Sequence, residues 1–371
     1  MRILHFADIH LDRPFIGLSA DSSRRRRREL FEAFRRCLAL AAERQVDLVT
    51  IGGDLWEEEH VLADTRRSVA HELGRLGLPV LIVCGNHDPL RPGGSYLRTQ
   101  WPENVSIAER GRLREYTYGE VSVWAVSWGA AADLSQRMLE RVELEDDGRT
   151  HLLLIHGTAH GAAFSSEAYF PFAPEVVDQA GFALCLAGHV HCATRLGRVV
   201  YPVSPEPLGW GEEDGRHCAA LIECAGPTAD VELVDMNETR YETRVLDCSG
   251  CGSSAEVDER LRAALTDEDA AVLFIRLRLT GEVSPDCKVD VEYVAAAHGV
   301  RYRTLVVNDA TEPIFDVASR SQRKGLDGLF VRKLRERLDA AGSDAERRRI
   351  ELALEAGLRA IEGEKVILRV D

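Results

Sequence analysis

Lysine is the residue that this sequence most clearly lacks. Only four of its 46 basic residues are lysines, and the formal net charge is −15 with a pI near 5.3. Non-specific binding to nucleic acid depends on neutralising phosphates, so this composition excludes a basic footprint spread over the whole surface. Any footprint for DNA must be local or must be supplied by a partner.

The sequence also lacks a long apolar run. No stretch reaches the roughly 18 apolar residues of a membrane-spanning helix, and Met1–Phe6 leads into Asp8 without the apolar region of a signal peptide. We therefore expect a cytoplasmic protein with no membrane partner. The nine cysteines lie mostly in apolar segments, as is typical of small core residues in a reducing compartment. Cys248-Ser-Gly-Cys251 has no second pair, which favours a turn over a zinc site.

The order of apolar segments predicts an α/β protein with more than one domain. Strands and helices alternate up to residue 88, which calls for a mainly parallel sheet with right-handed crossovers. Residues 104–128 then change to short runs that predict antiparallel strands of a second sheet. The predicted domains are 1–238, a small α/β domain over 239–312 and a helical tail over 313–371.

Five apolar runs of strand length end in residues of the kind that bind metals. One such ending is commonly a turn or a structural histidine, but five in order leave little room for that interpretation. Because the carboxyl ends of parallel strands meet at one edge of a sheet, these side chains are predicted to converge. The residues at the five endings are Asp8 and His10, Asp54, Asn86 with His87 and Asp88, His156, and His189 with His191.

This set of side chains predicts a centre for two divalent cations. Imidazoles mixed with carboxylate and amide oxygens suit Mn²⁺, Fe²⁺ or Zn²⁺ better than a pure Mg²⁺ or Ca²⁺ site. Two-metal sites with ions about 3.5–4 Å apart serve phosphoryl chemistry. We therefore expect phosphoester hydrolysis with Mn²⁺, and Fe²⁺, Zn²⁺ and Mg²⁺ remain alternatives.

The five motifs, in this order, resemble the signatures of the calcineurin-like metallophosphoesterase superfamily over roughly residues 1–225. Within it the chain is similar to the SbcD nuclease subunits, the bacterial counterparts of the eukaryotic meiotic-recombination nuclease for DNA double-strand breaks. Leu11-Asp12-Arg13-Pro14-Phe15, and the small domain plus helical tail, look closest to its YhaO-like branch. The resemblance implies a four-layer αββα sandwich with a small α/β capping domain and a C-terminal helical tail.

The resemblance also implies a role for each site residue and DNA as the substrate of an exonuclease or endonuclease. Asp54 would bridge the two ions, and a metal-held hydroxide would attack the phosphorus. His87 would be an acid for the leaving oxygen rather than a ligand, with Asp88 orienting it. The first ion would be held by Asp8, His10 and His191, and the second by Asn86, His156 and His189.

Three features of the sequence leave alternatives open. Glu57 stands where the family often has His or Asp, three residues after the bridging Asp, and its role is not assigned. Val203 stands where the family has Gly, and a side chain there is expected to narrow the groove. The Arg24–Arg28 run, at the head of a predicted helix, is either a solvated face or a contact to phosphates.

The tail is predicted to bind a partner. Apolar residues recur every three to four positions along two segments, 326–338 and 350–361, which predicts two amphipathic helices. We expect their faces to be buried on another protein rather than on this chain. The resemblance implies that this partner is an SbcC-like ATPase of the SMC type. It also implies that the chain itself, as the nuclease subunit, forms a dimer.

Two other functions remain in competition with the DNA nuclease. A phosphodiesterase or phosphatase for a small phosphoester is favoured by the acidic charge and disfavoured by the extra domain and tail. A non-catalytic scaffold is disfavoured because all seven ligand positions are filled.

Overall fold

The chain divides into two units. The computed structural model describes residues 1–129, 134–144, 147–162, 169–211, 216–314, 316–361 and 363. The units are Met1–Glu242 and Thr243–Asp371. The first predicted domain boundary, at residue 238, lies close to this division, and the scheme of three domains stays a prediction.

One six-stranded sheet of the first unit carries the first three predicted strand endings. Four of its strands are parallel, and two strands at one edge pair antiparallel. Its strands are β1 (Arg2–Phe6), β2 (Leu48–Gly52), β3 (Val80–Val83), β4 (Val105–Ile107), β11 (Cys218–Ala225) and β12 (Thr228–Asp235). Their order across the sheet is β12-β11-β1-β2-β3-β4.

A second six-stranded sheet carries the other two endings. Its four inner strands are parallel, and the strand at each edge pairs antiparallel with its neighbour. The strands are β5 (Arg114–Tyr118), β6 (Val121–Ala125), β7 (Thr150–His156), β8 (Leu184–Gly188), β9 (Thr194–Leu196) and β10 (Val199–Tyr201). Their order is β5-β6-β7-β8-β10-β9.

The two sheets pack face to face between helices. Leu81 of the first sheet lies in one buried cluster with Val123 and Leu152 of the second. The outer faces are covered by α1 and α2 on the first sheet and by α4 and α5 on the second. This confirms the expected αββα sandwich. Its helices are α1 (Ala20–Glu43), α2 (Ala63–Leu76), α3 (Ser95–Arg98), α4 (Arg137–Glu140) and α5 (Glu175–Ala180).

The prediction for residues 104–128 is wrong for its first strand. Strand β4 belongs to the first sheet, parallel to β3, with Val80 opposite Val105. In this sheet Val105 and Ile107 pack against the hydrophobic core that also contains residues of α1 and α2. Burial of these two side chains therefore decides which sheet the strand joins. Strands β5 and β6 form the antiparallel pair that was expected in the second sheet.

The second unit has a small α/β core of its own. A three-stranded sheet has the order β13-β14-β16, and β15 pairs with β17. Cys248 and Cys251 are free, fully buried thiols in this core, joined by the predicted turn, and among the described residues neither belongs to a metal-type cluster. The elements are β13 (Arg240–Asp247), α6 (Ser254–Ala264), β14 (Leu273–Thr280), β15 (Glu282–Val283), α7 (Val291–Gly299), β16 (Thr304–Asp309) and β17 (Glu312–Pro313).

The apolar faces of the tail helices are buried against each other. The elements here are α8 (Val317–Ser321), α9 (Leu326–Asp339) and α10 (Asp344–Ile361). Val331 and Leu334 of α9 share one cluster with Leu354 and Leu358 of α10, so the expectation that these faces need another protein is wrong for these residues. Two amphipathic helices joined by a short connection can bury their apolar faces against each other without a partner protein. None of the described helices is long and apolar enough to cross a membrane.

Candidate metal centre

Hydrogen bonds between backbone segments hold the strand endings together. The Asp8 amide donates to the Gly53 carbonyl at 3.0 Å, and the His10 amide donates to the Asp54 carbonyl at 2.9 Å. The His189 amide in turn donates to Oδ1 of Asp8 at 3.0 Å. The loops after β1, β2 and β8 are therefore a single hydrogen-bonded platform, which spans both sheets.

Two glycines allow the loops to approach this closely. A Cβ on Gly85 would lie 2.2 Å from Oδ1 of Asp54, and a Cβ on Gly53 would lie 2.5 Å from Nδ1 of His156. Gly53 also has a φ of +95°, which glycine adopts without steric cost. The glycines in the motifs are thus required by the space that the side chains of the site occupy.

The structure brings the predicted ligands into overlapping groups. Within each group, one ligand atom from every residue lies within 4.8 Å of the others. Asp54 occurs in two groups, which places its carboxylate between the others. The groups are Asp8 with His10 and His191, His10 with Asp54 and His87, and Asp54 with His156 and His189.

The position of Asp54 suits a bridging ligand. Its Oδ2 lies 3.7 Å from Nε2 of His10 and 3.3 Å from Nε2 of His156. Asn86 Oδ1 lies 2.9 Å from His156 Nε2 and 3.1 Å from His189 Nδ1. His10 Nε2 is buried without a hydrogen-bond partner among the described residues, as expected of an atom that binds a cation. These donors fit the two divalent ions.

The charges in the cluster shift each other's ionisation. Burial raises the pKa of Asp8. Burial also acts to raise the pKa of Asp54, but the His156 imidazole and other nearby histidines outweigh it and the pKa is lowered. The pKa of His156 is raised to about 9, since attraction to Asp54 outweighs the opposite effect of burial. Asp54 therefore stays ionised, the state in which a carboxylate binds a cation.

Asp88 supports the loops instead of orienting His87 as expected. Its buried carboxylate accepts hydrogen bonds from the backbone amides of Gly85, Asp54 and Leu55, at 2.6, 3.1 and 2.7 Å. The Tyr96 hydroxyl donates a fourth at 2.7 Å. Asp88 thus joins the loop after β3 to the loop after β2, and sequence spacing gave no sign of these remote partners.

Glu57 is the carboxylate that meets His87. One of its oxygens lies 2.9 Å from Nδ1 of His10, and the other lies 2.9 Å from Nδ1 of His87. Each ring then presents its other nitrogen, Nε2, to a metal or substrate. The hydrogen bond with Glu57 also raises the pKa of His87. The sequence marked Glu57 only as a departure from a family pattern.

Replacing Glu57 with alanine is expected to lower kcat/KM by about 10–100-fold, the usual scale for a residue that orients a metal-ligating histidine. Glutamine has a single carbonyl oxygen and accepts from only one of the two rings, so Glu57→Gln should fall between alanine and the wild type. Calorimetric titration with Mn²⁺ should show weaker binding in the same order. The exposed Glu59→Ala variant is the control, and unchanged kinetics and affinity in Glu57→Ala would contradict the assignment.

Val203 does not narrow an open groove. Its side chain is fully buried, and its φ is +74°. A positive φ is a true outlier for a β-branched residue, which explains on steric grounds why glycine suits this position.

Comparison with known proteins identifies the family. A sequence profile described as calcineurin-like phosphoesterase matches residues 1–193, which include every predicted site residue. The chain belongs to the calcineurin-like phosphoesterase family. This family implies a hydrolase that uses divalent metal ions, in agreement with the clustered ligands. Which metal ion is used stays a prediction.

The individual proteins that resemble this calcineurin-like phosphoesterase share low sequence identity with it. An uncharacterized metallophosphoesterase, YhaO of Bacillus subtilis, is 28% identical over 54% of this chain and 52% of its own length. The DNA double-strand break repair protein Mre11 of Methanopyrus kandleri is 25% identical over 71% of this chain and 62% of its own length. Its namesake from Haloferax volcanii is 26% identical over 78% of this chain and 64% of its own length. The chain thus spans half to two thirds of these relatives.

Proposed function

We propose that this chain is a metal-dependent DNA phosphodiesterase, the nuclease subunit of an SbcCD-like repair complex. The observation that carries the proposal is a cluster of buried and half-buried candidate metal ligands beside an accessible histidine. The His87 side chain is 44% exposed, and its ring centroid lies 4.8 Å from that of His10. Relatives named as DNA double-strand break repair proteins support DNA as the substrate.

In this proposal the residues of the chain divide the work. Bound divalent ions would supply an activated water and neutralise charge on the phosphate. Asp54 separates and positions the two sites, and His87 gives a proton to the leaving oxygen from Nε2 while Glu57 holds Nδ1. The proposed ligands are Asp8, His10 and His191 for one ion and Asn86, His156 and His189 for the other.

A paired assay tests the proposal. The purified chain, stripped with EDTA and reloaded with Mn²⁺, is expected to cleave linear DNA as well as bis(p-nitrophenyl) phosphate. Mn²⁺ should support a higher rate than Mg²⁺, because the ligand set is rich in imidazole. Hydrolysis of the small diester without any cleavage of single-stranded or double-stranded DNA would overturn the nuclease assignment.

A second candidate function is hydrolysis of a small phosphoester. The net charge of −15 favours it, since such a surface repels a polyanion. In the nuclease proposal an SbcC-like ATPase supplies the basic surface, so adding this ATPase should increase DNA cleavage without changing hydrolysis of the small diester. A small-molecule enzyme would show no such gain.

The contact with the ATPase is proposed to use the tail residues that the helix pair leaves exposed. Leu326 is 74% exposed and Leu329 is 50% exposed, one turn apart on α9. Changing both to Glu is expected to weaken ATPase binding at least about 10-fold, since each buried leucine contributes roughly 1.5–3 kcal/mol. The variant should keep the melting temperature of the wild type, whereas Leu354→Glu should lower it by disrupting the helix pair.

Calorimetric titration with the ATPase and differential scanning calorimetry supply the two readouts of this experiment. Val300→Glu is the matched control, because Val300 is 86% exposed and lies outside the tail. Wild-type binding by the double variant would exclude this surface of α9. The family resemblance also implies a homodimer, which light scattering on the same samples tests.

A further inference from the structure

A cavity opens beside His87 that the proposed chemistry leaves without a function. Its volume is about 380 Å³, within the range of about 300–1,000 Å³ that is usual for ligand pockets. His87 and Glu57 line one part of it. The aromatic side chains of Phe15, Trp210 and Tyr241 line another part, so one cavity joins aromatic rings to two residues that border the candidate metal centre.

Buried Arg26 holds the aromatic wall together. Its guanidinium lies 5.4 Å from the ring centroid of Phe15 and 5.8 Å from that of Tyr241. It also donates hydrogen bonds to the Pro207 carbonyl at 2.5 Å and to the Thr239 hydroxyl at 3.2 Å. One side chain therefore ties together three segments that are remote in sequence. The wall is built into the fold.

This position of Arg26 changes the interpretation of the Arg24–Arg28 run. Arg26 is only 1% exposed, and its ion pairs within the described part of the chain include those with Glu29 and Glu206, at 2.6 and 3.7 Å. The middle residue of the run is thus neither part of a solvated face nor a contact to phosphates. It serves the cavity instead, a role that the spacing of residues along the chain does not indicate.

We infer that the cavity binds the nucleobase on the leaving side of the scissile phosphodiester. Aromatic side chains suit a base because every base has a π-face on which to stack. Trp210 and Tyr241 already meet edge to face, with centroids 5.0 Å apart, so they present a rigid corner. Arg13 and His60, also on the lining, suit the adjacent phosphates.

The side of the phosphodiester follows from the position of His87. In the proposed function, on which this inference rests, His87 protonates the leaving oxygen. A cavity that His87 itself lines therefore receives the group attached to that oxygen. The base on the other side of the phosphate lies away from this cavity and should matter less.

Dinucleoside monophosphates test the inference on the whole chain loaded with Mn²⁺. Three substrates are compared, one with both bases and two with a tetrahydrofuran abasic sugar on one side or the other. The leaving nucleoside is identified as the product released without phosphate. Removing its base is expected to lower kcat/KM about 10- to 100-fold, the scale of one lost base stack. Removing the other base should change kcat/KM less than about threefold.

Substitutions at Trp210 connect this effect to the cavity. Trp210→Ala should process the intact substrate and the substrate without the leaving base at nearly equal rates, whereas Trp210→Phe should keep most of the difference. Tyr293→Ala, an exposed aromatic position in the second unit, is the matched control. The comparison of substrates on the wild-type protein stands even if the alanine variant fails to fold.

The outcomes separate this inference from the proposed function. Cleavage of all three substrates at similar rates would overturn the base-binding cavity and leave the nuclease proposal intact. Cleavage of neither dinucleotides nor DNA would remove the proposed function, and the inference with it. If the Trp210→Ala variant keeps the full preference for a substrate with the leaving base, that base binds at another surface.

Discussion

Replacing Asp54 with alanine is expected to reduce kcat/KM for any phosphodiester by at least about 10³-fold, because several kcal/mol of transition-state stabilisation depend on the paired ions. The Oδ2 atom of Asp54 lies between Nε2 of His10 and Nε2 of His156, at 3.7 and 3.3 Å. No other carboxylate among the described residues belongs to two of the ligand groups. Removing it leaves two half-sites that share no anionic ligand.

The measurement combines steady-state kinetics with metal analysis by mass spectrometry. Asp54→Ala should bind fewer Mn²⁺ ions per chain than the wild type. Asp54→Asn keeps the shape of the side chain but loses its charge, and it should show a comparable loss of activity. The exposed Asp64→Ala variant is the control. A fully active Asp54→Ala protein would rule out a bridged two-metal centre.

His87→Ala is expected to lower kcat for a dinucleotide by about 10²–10⁴-fold, the contribution of a positioned general acid. The deficit should shrink with bis(p-nitrophenyl) phosphate, because p-nitrophenolate leaves readily without a proton. Metal content should stay at the wild-type value. These three readouts together distinguish an acid from a ligand, a distinction that matters because His87 also groups with His10 and Asp54.

His71→Ala, on an exposed face of α2, is the matched control for this experiment. If His87→Ala loses metal in step with activity, and the loss is equal for both kinds of leaving group, His87 is a ligand. The proposed assignment of the proton donor would then be wrong, although the chain would remain a metal-dependent hydrolase.

Much of the fold could be predicted because it rests on local patterns. Apolar runs of strand length that end in polar, metal-binding residues predict a parallel sheet with a site at its edge. Ser253 and Glu256 have the spacing of a helix capping box, and at the start of α6 the Glu256 amide donates to the Ser253 hydroxyl at 3.4 Å. The prediction for strand β4 is wrong about its sheet. A strand of three residues is too short to show an alternating pattern, so its sheet is decided by the edge at which its apolar side chains become buried.

The sequence by itself determined which residues belong to the candidate site, since each ligand lies at the end of a strand that its own neighbours specify. Only the tertiary structure decided which side chains support them. Glu57 meets both His10 and His87, Asp88 joins two loops, and Arg26 closes a cavity wall. Each of these contacts depends on how segments remote in sequence pack against each other. The spacing of residues along the chain does not specify which remote side chains come into contact.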